Sequence, residues 1–195
     1  MNKFSTDYEL IQKFIEGEQS CFEQLIQRHK NKVFAYISMY IRDQALAEDI
    51  FQDTFLKVIQ SVKSGRYSDN GKFLAWVMRI AHNLIIDHFR RIKQMNTMSN
   101  DDYEADIFNS RRFSDSNIED TIIKRQLRKD IRMMISQLPD DQKEVVILRH
   151  YAGLSFKEIA DVTEVSINTA LGRMRYALIN LRKIMQENNI NLSVN

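Results

Sequence analysis

The chain has one cysteine and one proline, and only five glycines among its 195 residues. A lone cysteine, Cys21, excludes an internal disulfide and any metal site built on several thiolates. Beside Phe22 it reads as a small core residue and not as a nucleophile. So few chain-breaking residues argue for long helices and against a sheet of many short turns. No segment keeps the period of two that a sheet requires. No apolar run nears the roughly 18 residues of a membrane span. The start, MNKFSTDYEL, lacks the apolar centre of a signal peptide. A cytoplasmic protein without membrane insertion is therefore expected. His29, His82, His88 and His150 show no zinc spacing, and there is no nucleophile elbow, phosphate-cradling glycine loop or dinucleotide fingerprint. No catalytic residue, metal, cofactor or small-molecule substrate is expected.

What is present fits a globular protein with a core: 44% hydrophobic and 28% charged residues. The net charge of +2 is small, so any nucleic-acid surface must come from local segregation of charge.

Helix start signals recur along the chain. Thr6 with Glu9, Ser20 with Glu23, Ser116 with Glu119 and Ser155 with Glu158 all match the capping-box spacing. The first helix carries Leu10, Ile11, Phe14 and Ile15 and stops at Gly17. The second extends from Ser20 to about Ile41. Asp43 caps a third, with Ala47, Ile50, Phe51, Phe55 and Val58 on its apolar face. After the polar loop Gly65–Asn70, a fourth runs from about Lys72 to Lys93. From Gln94 to Asp120 seven acids face two arginines and the apolar pattern fades, as in a flexible acidic linker. Ile118, Ile122, Leu127, Ile131 and Ile135 mark the next helix. Pro139 stands in the first turn of the one after, which Gly153 ends. The expected fold class is all-α: two helical domains joined by the linker.

The stretch LSFKEIADVTEVSINTALGRMR, Leu154 to Arg175, has the form of a helix-turn-helix. Ser155 starts the first helix and Ser166 caps the second. Ile167, Ala170, Met174 and Ala177 can pack inward, leaving Asn168, Thr169, Arg173 and Arg175 for a major groove. A helical hairpin that merely packs remains the alternative for this stretch alone.

Charge is segregated elsewhere too. The third helix carries Glu48, Asp49, Gln52 and Asp53 within two turns. Such a face can be merely solvated, can meet a basic partner protein, or can hold a divalent metal in a nucleic-acid or nucleotide enzyme. The fourth helix is basic, with Lys72, Arg79, Arg90, Arg91 and Lys93 against Asp87. Tyr67, Trp76 and Phe89 are interleaved with these, the combination that single-stranded nucleic acid needs. Trp76 lies on the apolar face, where a core position is the plainer reading.

Four segments, in this order and spacing, resemble bacterial RNA polymerase sigma factors of the extracytoplasmic-function type. They are GEQSCFEQLIQRH, AEDIFQDTFLKV, FLAWVMRIAHNLIIDHFRR and LPDDQKEVVILRHYAGLSFKEIADVTEVSINTALGRMRYAL. The resemblance implies a region 2 bundle over residues 1–95, an acidic linker over 96–116 and a region 4 helix-turn-helix domain over 117–187. It implies that Asp49, Gln52, Asp53 and Phe55 dock on core polymerase. It places Tyr67, Arg79, Asn83, Asp87, Arg90 and Arg91 on the −10 element, Tyr67 within a loop that captures a flipped base. It places Ser155, Ser166, Asn168, Thr169, Arg173 and Arg175 on the −35 duplex. The implied partners are core RNA polymerase, promoter DNA and an anti-sigma factor. The chain departs from the family at Ala170, Leu171 and Gly172, where valine, a basic residue and serine are usual, so no −35 consensus is carried over. The rival to this reading is a helix-turn-helix regulator acting without polymerase.

Overall fold

The computed structural model describes residues 6–41, 43–68, 71–96 and 130–188, and every described element is helical. The helices are α1 (Asp7–Ile15), α2 (Gln19–Tyr40), α3 (Gln44–Lys63) and α4 (Phe73–Asn96). There follow α5 (130–136), α6 (Asp140–Ile147), α7 (Phe156–Thr163) and α8 (Ile167–Glu187). The chain divides into two compact units. The acidic linker, the Ser116–Glu119 box and the apolar positions Ile118, Ile122 and Leu127 lie outside the described residues.

In the first unit α2 packs against α1, α3 and α4, and α3 packs against α4. Leu25, Val33, Ile37, Val58, Val77, Met78 and Ala81 are fully buried there. Buried apolar area of this extent is the main favourable term holding four helices together. Tyr36 is buried with them, its hydroxyl 3.0 Å from His82 Nδ1.

Of the side-chain caps expected among the described residues, all but one form. The Thr6 hydroxyl accepts from the Glu9 amide at 3.2 Å, and the Glu9 carboxylate accepts from the Thr6 amide at 2.9 Å. Asp43 accepts from the Leu46 amide at 3.1 Å. The box expected at Ser20 and Glu23 does not form: α2 begins at Gln19, with Glu18 in the cap position and no side-chain cap bond. The end of α1 explains this. Gly17 adopts φ +112°, and the Gly17 and Glu18 amides return to the carbonyls of Phe14 and Lys13. That closure turns the chain into α2 before Ser20 is reached.

In the second unit α6 packs against α8. Pro139 is the residue before α6, one place earlier than expected. The helix then widens into a π turn, Leu148–Ala152, and ends at Gly153 with φ +79°. Arg149 secures this exit, donating to the Leu154 carbonyl at 2.8 Å with its guanidinium over the Phe156 ring. Val145, Ile147, Leu148, Ile159, Ala170 and Ala177 are fully buried.

Candidate nucleic-acid and partner-protein surfaces

On α3, Asp49, Gln52 and Asp53 are exposed. They fall at i, i+3 and i+4, so one face carries them all. Leu56, at i+7, completes that face and is 54% exposed. Phe55 does not share it. Phe55 is buried, edge-on to Phe22 at 6.4 Å and against Phe51 at 4.9 Å. The family resemblance implies a contact at Phe55, but the helical angle turns Phe55 into the core and Leu56 outward. The same i, i+3, i+4, i+7 count would have found Leu56 in the sequence. Glu48 accepts from the Gln44 side chain at 2.9 Å. No three His, Cys, Asp or Glu side chains converge on a metal-sized site among the described residues.

The second surface starts in the loop before α4. The Tyr67 and Trp76 rings lie 4.3 Å apart and 37° from parallel. Phe73 closes the group, 6.0 Å from each, and is itself buried with its other side toward the His29 ring at 5.6 Å. Trp76 is half-buried, so it borders the core and does not fill it. Tyr67 is half-buried as well. Arg79, Asn83 and Arg90 are exposed along α4 beyond this aromatic group, and Asp87 is partly so. Spacings of four, four and three residues hold them in one stripe with Trp76 at its head. Asp87 accepts from Arg90 at 3.3 Å, which orients the guanidinium along the stripe. Arg91 is exposed on the neighbouring flank.

His29 reaches this surface from behind. Its Nε2 lies 2.8 Å from an Asp7 carboxylate oxygen, and Arg28 holds the other oxygen. Partial burial raises the Asp7 carboxyl, but the bonds and charges of His29 and Arg28 together bring it below its ordinary value. Sequence reasoning left His29 unassigned, because nothing local in the chain links Asp7, His29 and Phe73.

The third surface is the helix-turn-helix. Ser155 and Glu158 form their capping box: the Ser155 amide donates to Glu158 at 2.8 Å and the Glu158 amide to Ser155 at 3.3 Å. The turn passes through Glu164 at φ +55°. Ser166 caps α8, accepting from the Thr169 amide at 3.0 Å. Ala170, Met174 and Ala177 pack inward. Ile167, expected with them, is 45% exposed: its angle on α8 matches theirs, but it stands at the very start of the helix, where the neighbouring elements leave it uncovered. Ser166, Asn168, Thr169, Leu171, Arg175 and Tyr176 are all exposed. Arg173 is different. Its side chain lies to the side of α8 and pairs with Asp141 of α6 at 3.3 Å. Further along α8, a shallow groove of about 440 Å³ is lined by Phe156, Leu171, Leu178 and Ile179, with Arg175 and Arg182 at its rim.

One buried charge was not anticipated. Lys143 is 3% exposed, with its ammonium 3.0 Å from Asp140 one turn earlier. No described helix is long and apolar enough to cross a membrane.

Two family models match successive parts of the chain. Residues 25–94 match the Sigma-70 region 2 family and residues 128–177 the Sigma-70, region 4 family. The chain is 30% identical to the RNA polymerase sigma factor CarQ of Myxococcus xanthus, over 91% of this chain and 96% of the relative. It is 27% identical to the ECF RNA polymerase sigma factor SigW of Bacillus subtilis, over 91% of this chain and 95% of that one. Among solved structures, CnrH in complex with the cytosolic domain of CnrY shares the fold with a TM-score of 0.66 at 21% identity, covering 94% of this chain and 99% of that one. The sigma factor RpoE of Bartonella quintana, in complex with the anti-sigma factor NepR, also gives 0.66, at 19% identity over 85% and 96%.

Proposed function

The chain belongs to the extracytoplasmic-function sigma factors of RNA polymerase, and from that premise we propose that it acts by binding alone, as the subunit that brings core polymerase to its promoters. Residues 1–95 form the polymerase-docking and −10 unit, 96–116 the connecting linker, and 117–187 the −35 unit. The observation that carries this reading is the continuous stripe from the Tyr67–Trp76 pair along Arg79, Asn83, Asp87 and Arg90. An aromatic surface followed by exposed guanidinium and amide groups suits a melted strand. The rings offset the cost of unstacking a base, and the arginines neutralise its phosphates.

The acidic face of α3, with Asp49, Gln52, Asp53 and Leu56, suits a basic partner surface with an apolar spot, which we assign to core polymerase. Phe55 supports that face from below. Ser155, Ser166, Asn168, Thr169 and Arg175 approach the −35 duplex. Arg173, expected among them, braces α8 against α6. An anti-sigma protein is a further proposed partner, such as the one bound in the solved complex of the structurally similar RpoE. Two weak DNA sites on one tether gain through effective concentration, so neither unit alone grips a promoter well.

The test is transcription with core polymerase. Purified chain, core enzyme and a library of promoters from the source genome should yield defined start sites with upstream elements in common. Random starts, or promoter binding that does not need core enzyme, would sink the reading in favour of an ordinary regulator.

A further inference from the structure

Gly172 sits in the second turn of α8, where glycine is among the poorest helix formers. Packing gives no reason for it. A Cβ built there meets nothing within 4 Å, and the backbone is ordinary helix. The inward positions Ala170, Met174 and Ala177 put residue 172 on the opposite, outward side, one turn beyond Asn168 and one before Arg175 and Tyr176. Its neighbour Leu171 leaves 44% of its surface in water, and Ile167, one turn earlier on the same flank, 45%. The first two turns therefore combine a missing side chain with exposed apolar ones, beside the exposed cation Arg175. A helix interior that lacks a side chain for no internal reason suits something that lies close against it.

Resting on the reading that α8 binds the −35 duplex, we propose that Gly172 is the point of closest approach between this helix and DNA, and that a thymine methyl group rests there against Leu171. The C5-methyl of thymine is the apolar group that the major groove displays, so it is the base feature an exposed leucine can recognise. The glycine removes the Cβ that would hold the helix away. Asn168 and Arg175 then reach base edges and phosphates from the turns on either side. The usual basic phosphate contact at position 171 is exchanged for an apolar contact with a base.

The experiment uses the full chain with core polymerase on a promoter whose start site has been mapped. Gly172→Ala should raise the melting temperature of the free chain by about 2 to 4 °C, because alanine is the better helix former and has room. It should also weaken protection of the −35 duplex several-fold. Replacing thymines of the −35 element one at a time by deoxyuridine removes only the methyl. At one position this should cost about fourfold in affinity, the worth of one buried carbon. With Leu171→Ala that sensitivity should vanish while affinity for the unmodified duplex falls only to the uridine level. Failure of the wild-type holoenzyme to protect any upstream duplex would overturn the binding reading and this inference together. Protection that is intact in Gly172→Ala, or indifferent to every uridine, or still uridine-sensitive in Leu171→Ala, would overturn this inference alone.

Discussion

The ring of Tyr67 lies 4.3 Å from that of Trp76, so a loop residue and a residue in the first turn of α4 present one aromatic surface. Phe73 fixes both from the core side, and His29 lies behind Phe73. A base drawn from the duplex would meet a surface already assembled, with little ordering left to do on binding.

Tyr67→Ala should therefore slow promoter melting by about fivefold or more, the lower range for loss of one base–aromatic stack. Tyr67→Phe keeps the ring and should stay within about twofold of wild type. Permanganate reactivity of the −10 strand in the holoenzyme measures both. Footprints over the −35 duplex should not change in either variant. A Tyr67→Ala protein that melts promoters at the normal rate would remove this residue from the strand-capture surface.

Adjacent positions on α3 should behave in opposite ways. Phe55→Ala empties a site between Phe22 and Phe51 and should destabilise the chain by about 3–5 kcal/mol. Leu56→Ala should leave stability within about 0.5 kcal/mol, as exposed substitutions do. It should nonetheless weaken capture of core polymerase. Asp49→Asn and Asp53→Asn should weaken it too, with a penalty that shrinks as salt is raised. Urea unfolding and a polymerase pull-down titrated with salt separate the two classes.

The two arginines of α8 should also part company. Arg175→Ala removes an exposed cation and should reduce the salt slope of upstream duplex binding by about one unit. Arg173→Ala breaks the pair with Asp141 and should leave the slope unchanged. Its cost should be at most about 1 kcal/mol of stability, as for a partly exposed ion pair. Filter binding over a range of salt concentrations decides the matter. A lowered slope in Arg173→Ala would show that it leaves Asp141 for phosphate.

Acid should strain the contact between α1 and α2. His29 and Arg28 hold the Asp7 carboxyl below its ordinary value of 3.8 in the folded chain. The folded form thus releases this proton more readily than the unfolded form. The stabilisation is complete above 3.8 and is lost as pH falls through the lower folded value. Stability of wild type measured against pH should fall more steeply below 4 than that of Asp7→Asn. Parallel curves would mean that the contact contributes nothing to acid sensitivity.

The helical architecture was legible because its signals are local. Thr6–Glu9, Asp43, Ser155–Glu158 and Ser166 each act within a single turn, and each forms the expected bond. Ser20–Glu23 has the same spacing and fails, because the closure at Gly17 commits the chain first. Helical spacing already puts Asp49 and Asp53 one turn apart on α3. What was not legible depended on partners distant in sequence. Nothing near Arg173 in the chain points to its ion-pair partner Asp141, thirty-two residues earlier. Trp76 looks like core until Tyr67 is found on its open side. Lys143 is enclosed by the packing around α6, which nothing local in the chain announces. Phe55, matched to a docking position by the resemblance, is buried as its place on the apolar face of α3 implies.

Cys21 sits just inside α2, 4% exposed, with its thiol 3.4 Å from the Glu18 carboxylate. Loss of solvation and then that carboxylate push the thiol above its ordinary value. A neutral, shielded thiol is a poor target for alkylation until the helix start opens. Because it is the chain's single sulfhydryl, its labelling rate is a clock for that one junction, readable in the free chain and again with polymerase bound.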